Sequence, residues 1–229
     1  MEMEAKILTP RFEEASELEL VEKFAWATPG ENMKAASEKI NGRLRSYAYG
    51  ITLATLTQSS DKPRTAGSQF SFRFNWNGNL KTLTSWEKGT NHGWTHQLHN
   101  PRGNTGFMVG VGVIPEFRGY KVNHNLHQLW PKKYKISELL IAYTLHKLFY
   151  DGVQQVIANA RIPWYHKKPH LSPKEYCQLR QQDGRRYDPV LRFHERMGAK
   201  IIKPVTFSME DDESLDAGCW VLYCRPFQG

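Results

Sequence analysis

The sequence predicts one mixed α/β domain, on three observations. Apolar residues recur at helical spacing near the N-terminus, a nearly continuous apolar run studded with glycine lies at the centre, and a strand-helix-strand order surrounds that run. The first 25 or so residues read as an amphipathic helix, with Leu18, Val21 and Ala25 on one face, Leu20 and Phe24 near it, and Thr28-Pro29-Gly30 as the stop. A second helix is expected over residues 31–45. The period then changes to two: residues 47–56 are rich in β-branched and aromatic side chains, and Phe70, Phe72 and Phe74 alternate with Ser71, Arg73 and Asn75. Asn77-Gly78, a pair that tolerates positive φ, predicts a hairpin turn into a further strand over 80–86.

Residues 87–104 are polar, carry Gly89, Gly93, Pro101 and Gly103, and read as a loop. Residues 106–114 then form the apolar run, ended by Pro115. A run of this kind suits a strand buried on both faces, and its three glycines allow another backbone or a ligand to come close. Ile136, Leu139, Leu140 and Tyr143 have helical spacing in a segment that ends at Asp151-Gly152, and residues 153–162 are the next strand. The centre is therefore a β-α-β crossover, right-handed if it joins parallel strands. Asp188-Pro189 opens a short helix over 190–197, and strands over 199–209 and 219–226 flank the acidic turn Glu210-Asp211-Asp212-Glu213. Residues 1–45 are expected to be a helical segment and residues 46–229 the core of the same domain.

A chain of 229 residues with 40% hydrophobic, 12% aromatic and 24% charged side chains has the composition of a packed globular protein and buries a core without staples. No apolar run reaches the roughly 18 to 20 residues of a membrane span, and the N-terminus is acidic where a signal peptide would be basic. Cys177, Cys219 and Cys224 make no CxxC and read as reduced thiols, so a soluble cytoplasmic protein with no membrane partner is expected. The formal charge of +8, from 31 Lys+Arg and 23 Asp+Glu, favours an anionic partner. Its clusters, Lys132-Lys133-Tyr134-Lys135, His166-Lys167-Lys168 and Arg185-Arg186, lack the aromatic interleaving of nucleic-acid binders and suit a compact polyphosphate. His92, His96 and His99 have helix-like spacing, but Gly93 and Pro101 interrupt the stretch and neither Cys nor carboxylate completes a ligand set, so no metal is expected.

Three segments carry a family likeness. They are residues 111–119 (Val-Gly-Val-Ile-Pro-Glu-Phe-Arg-Gly), 132–140 (Lys-Lys-Tyr-Lys-Ile-Ser-Glu-Leu-Leu) and 191–199 (Leu-Arg-Phe-His-Glu-Arg-Met-Gly-Ala). In these segments and in element order, residues 45 to 228 resemble the GNAT superfamily of acyl-CoA-dependent acyltransferases. The resemblance implies a GNAT-like mixed central sheet, pantetheine along Val111, Gly112 and Val113, and pyrophosphate on the turn formed by Lys132, Tyr134, Lys135, Ile136 and Ser137. Independently, unpaired N–H groups at a helix N-terminus favour an anion there. Lys135 and Ser137 stand where the family has glycine and glycine or alanine, and residues 120–131 are inserted before them. His194 stands where many family N-acetyltransferases carry a tyrosine acid, and it reads equally as an ordinary helix residue.

Within the superfamily, Trp26, His166 and the enlarged segment after the fifth strand look most like the GNAT-like domains of polyketide synthase loading modules. Such domains decarboxylate malonyl-CoA and pass acetyl to the phosphopantetheine thiol of an acyl carrier protein. The resemblance implies His166 as the acid that protonates the carbanion, the N–H near Gly112 or Val113 as donor to the thioester oxygen, and Trp26 as a pocket wall. Arg180 or Arg185 would steer the carboxylate. Histidine suits the acid role because its unperturbed pKa, about 6.5, lies near neutrality. The expected substrates are malonyl-CoA and acetyl-CoA thioesters. Two alternatives remain open at this stage: an acetyl-CoA-dependent N-acetyltransferase on an unknown amine, and a non-catalytic acyl-CoA-binding module.

Overall fold

In a computed structural model that describes residues 3–58, 62–129 and 131–225, the chain opens on a strand, β1 (Met3–Leu8), where helix is expected from the sequence. Ala5 and Ile7 are buried while Glu4 and Lys6 are exposed, a period of two, and the segment pairs antiparallel with β2 (Ile51–Gln58). Helix starts only after Pro10. There α1 (Ala15–Ala25) buries Leu18 and Val21, and α2 (Met33–Tyr47) buries Ile40 and Leu44, close to expectation.

β3 (Arg64–Phe74) pairs antiparallel with β2. Gly78 takes φ +82 in the expected turn, yet no strand follows over 80–86. The Asn79 side chain accepts from the Lys81 N–H at 3.0 Å, and the Trp76 indole and Thr82 hydroxyl donate to the Asn79 carbonyl at 3.1 and 2.8 Å. These local bonds close a 3-10 turn in place of a ladder. A short helix, α3 (Trp86–Thr90), occupies part of the expected loop. β4 (Thr105–Val113) is the apolar run, and the insertion after it supplies β5 (Lys121–His124), parallel to β1, before β6 (Tyr134–Lys135) pairs antiparallel with β5.

α4 (Ile136–Tyr150) and β7 (Gln155–Arg161) complete the crossover, β7 running parallel to β4 from Thr105↔Gln155 to Met108↔Ala158. α5 (Pro173–Gln178), α6 (Pro189–Arg196), β8 (Lys200–Val205) and β9 (Gly218–Cys224) follow. Residue 226, the last of the expected terminal strand, lies outside the described residues.

The chain divides into two compact units. Residues 1–72, 95–99 and 109–151 form the first, and residues 73–94, 100–108 and 152–229 the second. The strand order is β6-β5-β1-β2-β3-β4 in the first, with residues 109–113 of β4, and β4-β7-β9-β8 in the second, with residues 105–108. The first core packs Ile136, Leu139 and Leu140 of α4 against Ala54, Leu56, Ala66 and Val113. A buried polar chain accompanies it: Thr144 donates to Gln69 Oε1 at 2.8 Å, so Thr52, 2.7 Å away, must donate to Thr144. In the second unit Phe107 and Trp220, both fully buried, have ring centroids 5.2 Å apart.

Candidate active site

In the first unit, the glycines of β4 are spaces filled by Trp26. A Cβ on Gly112 would lie 2.8 Å from Trp26 Nε1 and 3.0 Å from Val21 Cγ1, and one on Gly110 would lie 3.3 Å from the indole. Close approach is thus needed, as the sequence implies, and on this face the group that approaches is a side chain of the protein. On β3, a Cβ on Gly67 would meet the Gly112 carbonyl at 2.4 Å, which holds those backbones close as well. Trp26 itself remains 42% exposed. Arg118 sets its position: Nε donates to the Val113 carbonyl at 2.8 Å and Nη2 to the Ala25 carbonyl at 3.0 Å. The guanidinium thereby joins the end of β4 to the last turn of α1, where carbonyls lack helical partners.

The expected phosphate turn is partly a strand. Tyr134 and Lys135 pair with Val122 and Lys121, and Ile136 is 1% exposed and belongs to the core. His124 fixes the entry: its Nδ1 accepts from the Leu126 N–H at 3.2 Å, which leaves Nε2–H to donate to the Lys132 carbonyl at 3.0 Å. At the helix start the Lys135 N–H donates to Glu138 Oε2 at 2.9 Å, so a carboxylate of the chain already sits at this positive end. Lys132 and Lys133 are exposed, and Ser137 is half-buried.

In the second unit, His166 is exposed on a 3-10 turn, Tyr165–Lys167, beyond β7. Its Nδ1 lies 2.9 Å from the Pro163 carbonyl and 3.0 Å from the Glu213 carbonyl. Carbonyl oxygens only accept, so Nδ1 carries a hydrogen and Nε2 is left as the nitrogen that takes up or releases a proton. Arg180 is ion-paired with Glu195 at 2.9 Å and also donates to the Gly184 carbonyl at 2.7 Å. Arg185 donates to Asp183 at 2.7 Å.

His194 is of another kind. It is 6% exposed, its Nδ1 lies 2.7 Å from Tyr223 Oη, and burial pushes its pKa down to about 4. Burial likewise raises the Tyr223 phenol, so both groups are neutral near neutral pH. Sequence reasoning missed two arginines, Arg118 and Arg161. Arg161 donates from Nε and Nη2 to Asp211 at 2.8 and 2.6 Å and from Nη2 to Glu213 at 2.9 Å. An arginine ending a strand, with an acidic run waiting in a later turn, was the available signal. Among the described residues, no group of three or more His, Cys, Asp or Glu is placed to hold a metal ion, and no helix is long and apolar enough to cross a membrane.

N-terminal helices, a mixed sheet and the β4-α4-β7 crossover define the class: the fold is that of the GNAT acyltransferases. The loading GNATL domain of CurA from Lyngbya majuscula is similar over 96% of this chain and 97% of its own, with TM-score 0.71 and 22% identity. GphF GNAT-like decarboxylase, solved in complex with isobutyryl-CoA, is similar over 95% and 98%, with TM-score 0.68 and 20% identity. Among curated proteins, the Uncharacterized N-acetyltransferase YkwB of Bacillus subtilis (strain 168) is 32% identical over 136 residues, 58% of this chain and 53% of YkwB. The chain thus spans about half the length of the curated relative it matches. No protein-family model matches it.

Proposed function

We propose that this chain decarboxylates malonyl-CoA to an acetyl thioester and passes the acetyl group to the phosphopantetheine thiol of an acyl carrier protein. The observation that carries the reading is the grip of two carbonyls on His166 Nδ1, which leaves Nε2 as the working nitrogen. The likeness in fold to a loading domain and to a GNAT-like decarboxylase supports the same direction.

In this reading the acyl-CoA runs along Val111, Gly112 and Val113, with Trp26 as a wall and its phosphates near Lys132, Tyr134, Lys135 and Ser137. Cleavage of the bond to the carboxylate releases CO2 and leaves its electron pair on the thioester as an enolate. Donors aimed at the oxygen where that charge develops stabilise the step. The imidazolium gives its Nε2 proton to the new carbanion, and acetyl-CoA results. Neutral Nε2 then takes the proton of the carrier thiol, whose sulfur attacks the acetyl carbonyl as the CoA thiolate departs. One imidazole thus serves both steps and ends as it began. Arg180 attracts the malonyl carboxylate, exchanging its bond to Glu195. Positive clusters on the chain raise the encounter rate with an acidic carrier protein.

Malonyl-CoA labelled with 13C at the methylene carbon, incubated with the protein, should give labelled acetyl-CoA and CO2, and label should move to a pantetheinylated carrier protein when one is added. Mass spectrometry reads both, and malonyl-CoA that survives intact would overturn the reading. A second reading, acetyl transfer from acetyl-CoA to an amine, is favoured by the likeness to YkwB. Acetylation of a member of an amine panel, with malonyl-CoA untouched, would select it.

A further inference from the structure

We infer that Arg161 is a positioning residue for His166, acting through the turn of residues 211–216. The inference rests on the proposed acid role of His166 for its catalytic consequence, though the geometry stands without it. Of the two carbonyls that hold Nδ1, Pro163 O is local to the histidine, three residues before it, whereas Glu213 O arrives from a turn 47 residues away. The turn needs an external tie. Leu215 and Asp216 both take left-handed backbone, φ +47 and +58, which side chains other than glycine's disfavour.

The tie is Arg161, the last residue of β7. Its guanidinium donates twice to the Asp211 carboxylate and once to that of Glu213, the residue whose carbonyl meets the imidazole. Two such parallel bonds fix orientation as well as distance. Asp211 passes the constraint on: it accepts from the Ser214 hydroxyl, its N–H donates to Asp216 Oδ1 at 2.9 Å, and its carbonyl accepts from the Asp216 N–H at 3.0 Å. The Ser214 hydroxyl in turn accepts from the Ile162 N–H at 3.0 Å, securing the turn to the backbone that leads to His166. The Asp211 side chain is only 10% exposed, so water competes poorly for these bonds.

Loss of the tie releases Glu213 O and leaves Nδ1–H with a single local acceptor. The ring then gains a second tautomer and a second orientation, each of which takes Nε2 out of service for part of the time. The effect falls on turnover and spares acyl-CoA binding, because Arg161 touches no proposed CoA contact.

The test uses Arg161→Gln, with Arg161→Lys and Glu213→Gln as milder variants that keep the fold if the first does not. 15N NMR of the imidazole, at a pH where it is neutral, reads which nitrogen holds the hydrogen. Wild type should show Nδ1–H alone, and Arg161→Gln a mixture with Nε2–H. The kcat for malonyl-CoA should fall roughly 10- to 100-fold with KM within about twofold, as expected for a misplaced group, and Arg161→Lys should recover part of it. Glu213→Gln should shift the tautomer the same way by less. An unchanged tautomer ratio in a folded Arg161→Gln protein overturns the inference, whatever happens to activity. A changed ratio with unchanged turnover upholds the positioning and counts against the acid role of His166, so the two ideas fail separately.

Discussion

The turn after β7 and the last turn of α6 each carry one imidazole, and the two are built in opposite ways. His166 is exposed, has two carbonyls on one nitrogen and leaves the other to the medium. His194 is enclosed, shares one hydrogen bond with a phenol and is held neutral by burial. A proton-transfer group needs both an orientation and an open nitrogen, whereas a core group needs only a satisfied bond. The difference gives two residues of the same type different capacities, one open to exchange a proton and one enclosed, and it rests on surroundings more than on place in the chain.

The widest gap between them should be in turnover. His166→Gln is expected to lower malonyl-CoA decarboxylation about 10²- to 10⁴-fold, the range for losing a general acid, while His194→Gln should stay within about threefold. Initial rates by mass spectrometry decide it. Equal losses in the two variants would break the comparison.

Stability should reverse their order. The folded pKa of His194, about 4, lies below its ordinary value of about 6.5, so the unfolded chain binds the extra proton between those two values. Stability is therefore full above about pH 6.5 and falls as pH drops toward 4, by about 3 kcal/mol from this residue. Denaturant unfolding at pH 7 and pH 4 should show wild type losing about that much more than His194→Gln, which keeps a polar partner for Tyr223 and does not titrate. His166→Gln keeps His194 and should show the loss that comes from that residue. A wild-type curve parallel to that of His194→Gln would place the imidazole in water instead of the core.

Much of this was legible in the sequence. The crossover through β4, α4 and β7 followed from one apolar run and one helical period, whereas His166 came from the likeness to the loading-module domains. Burial of His194 was also within reach, since it falls three residues after Leu191 on the inward face of α6. Other elements depend on partners that local pattern does not name. β1 is only six residues long, and it is a strand because β2 and β5 lie beside it, with Glu4 paired to Asn123. The segment 80–86 has strand composition but is turned by the side chain of Asn79. Gly112 announced a close neighbour, yet nothing in the run said that it would be Trp26. The tie from Arg161 to Asp211 spans 50 residues, and only folding brings it together.

The smallest expected effect concerns Arg180, whose situation contrasts with that of Arg161 in the same unit. Both are ion-paired, but Arg161 grips a carboxylate 10% exposed, whereas Arg180 and Glu195 expose 44% and 34% of their side chains. An exposed pair contributes little, so Arg180→Ala should cost under about 1 kcal/mol in denaturant unfolding. For the same reason its guanidinium is able to leave Glu195 for a substrate carboxylate. If it does, Arg180→Ala raises KM for malonyl-CoA about two- to fivefold and leaves binding of acetyl-CoA, which lacks that carboxylate, unchanged, since an exposed charge contact is worth no more than that. Glu195→Gln should act the other way, because it weakens the competitor for the same guanidinium. Equal effects of Arg180→Ala on both thioesters would remove the arginine from substrate recognition.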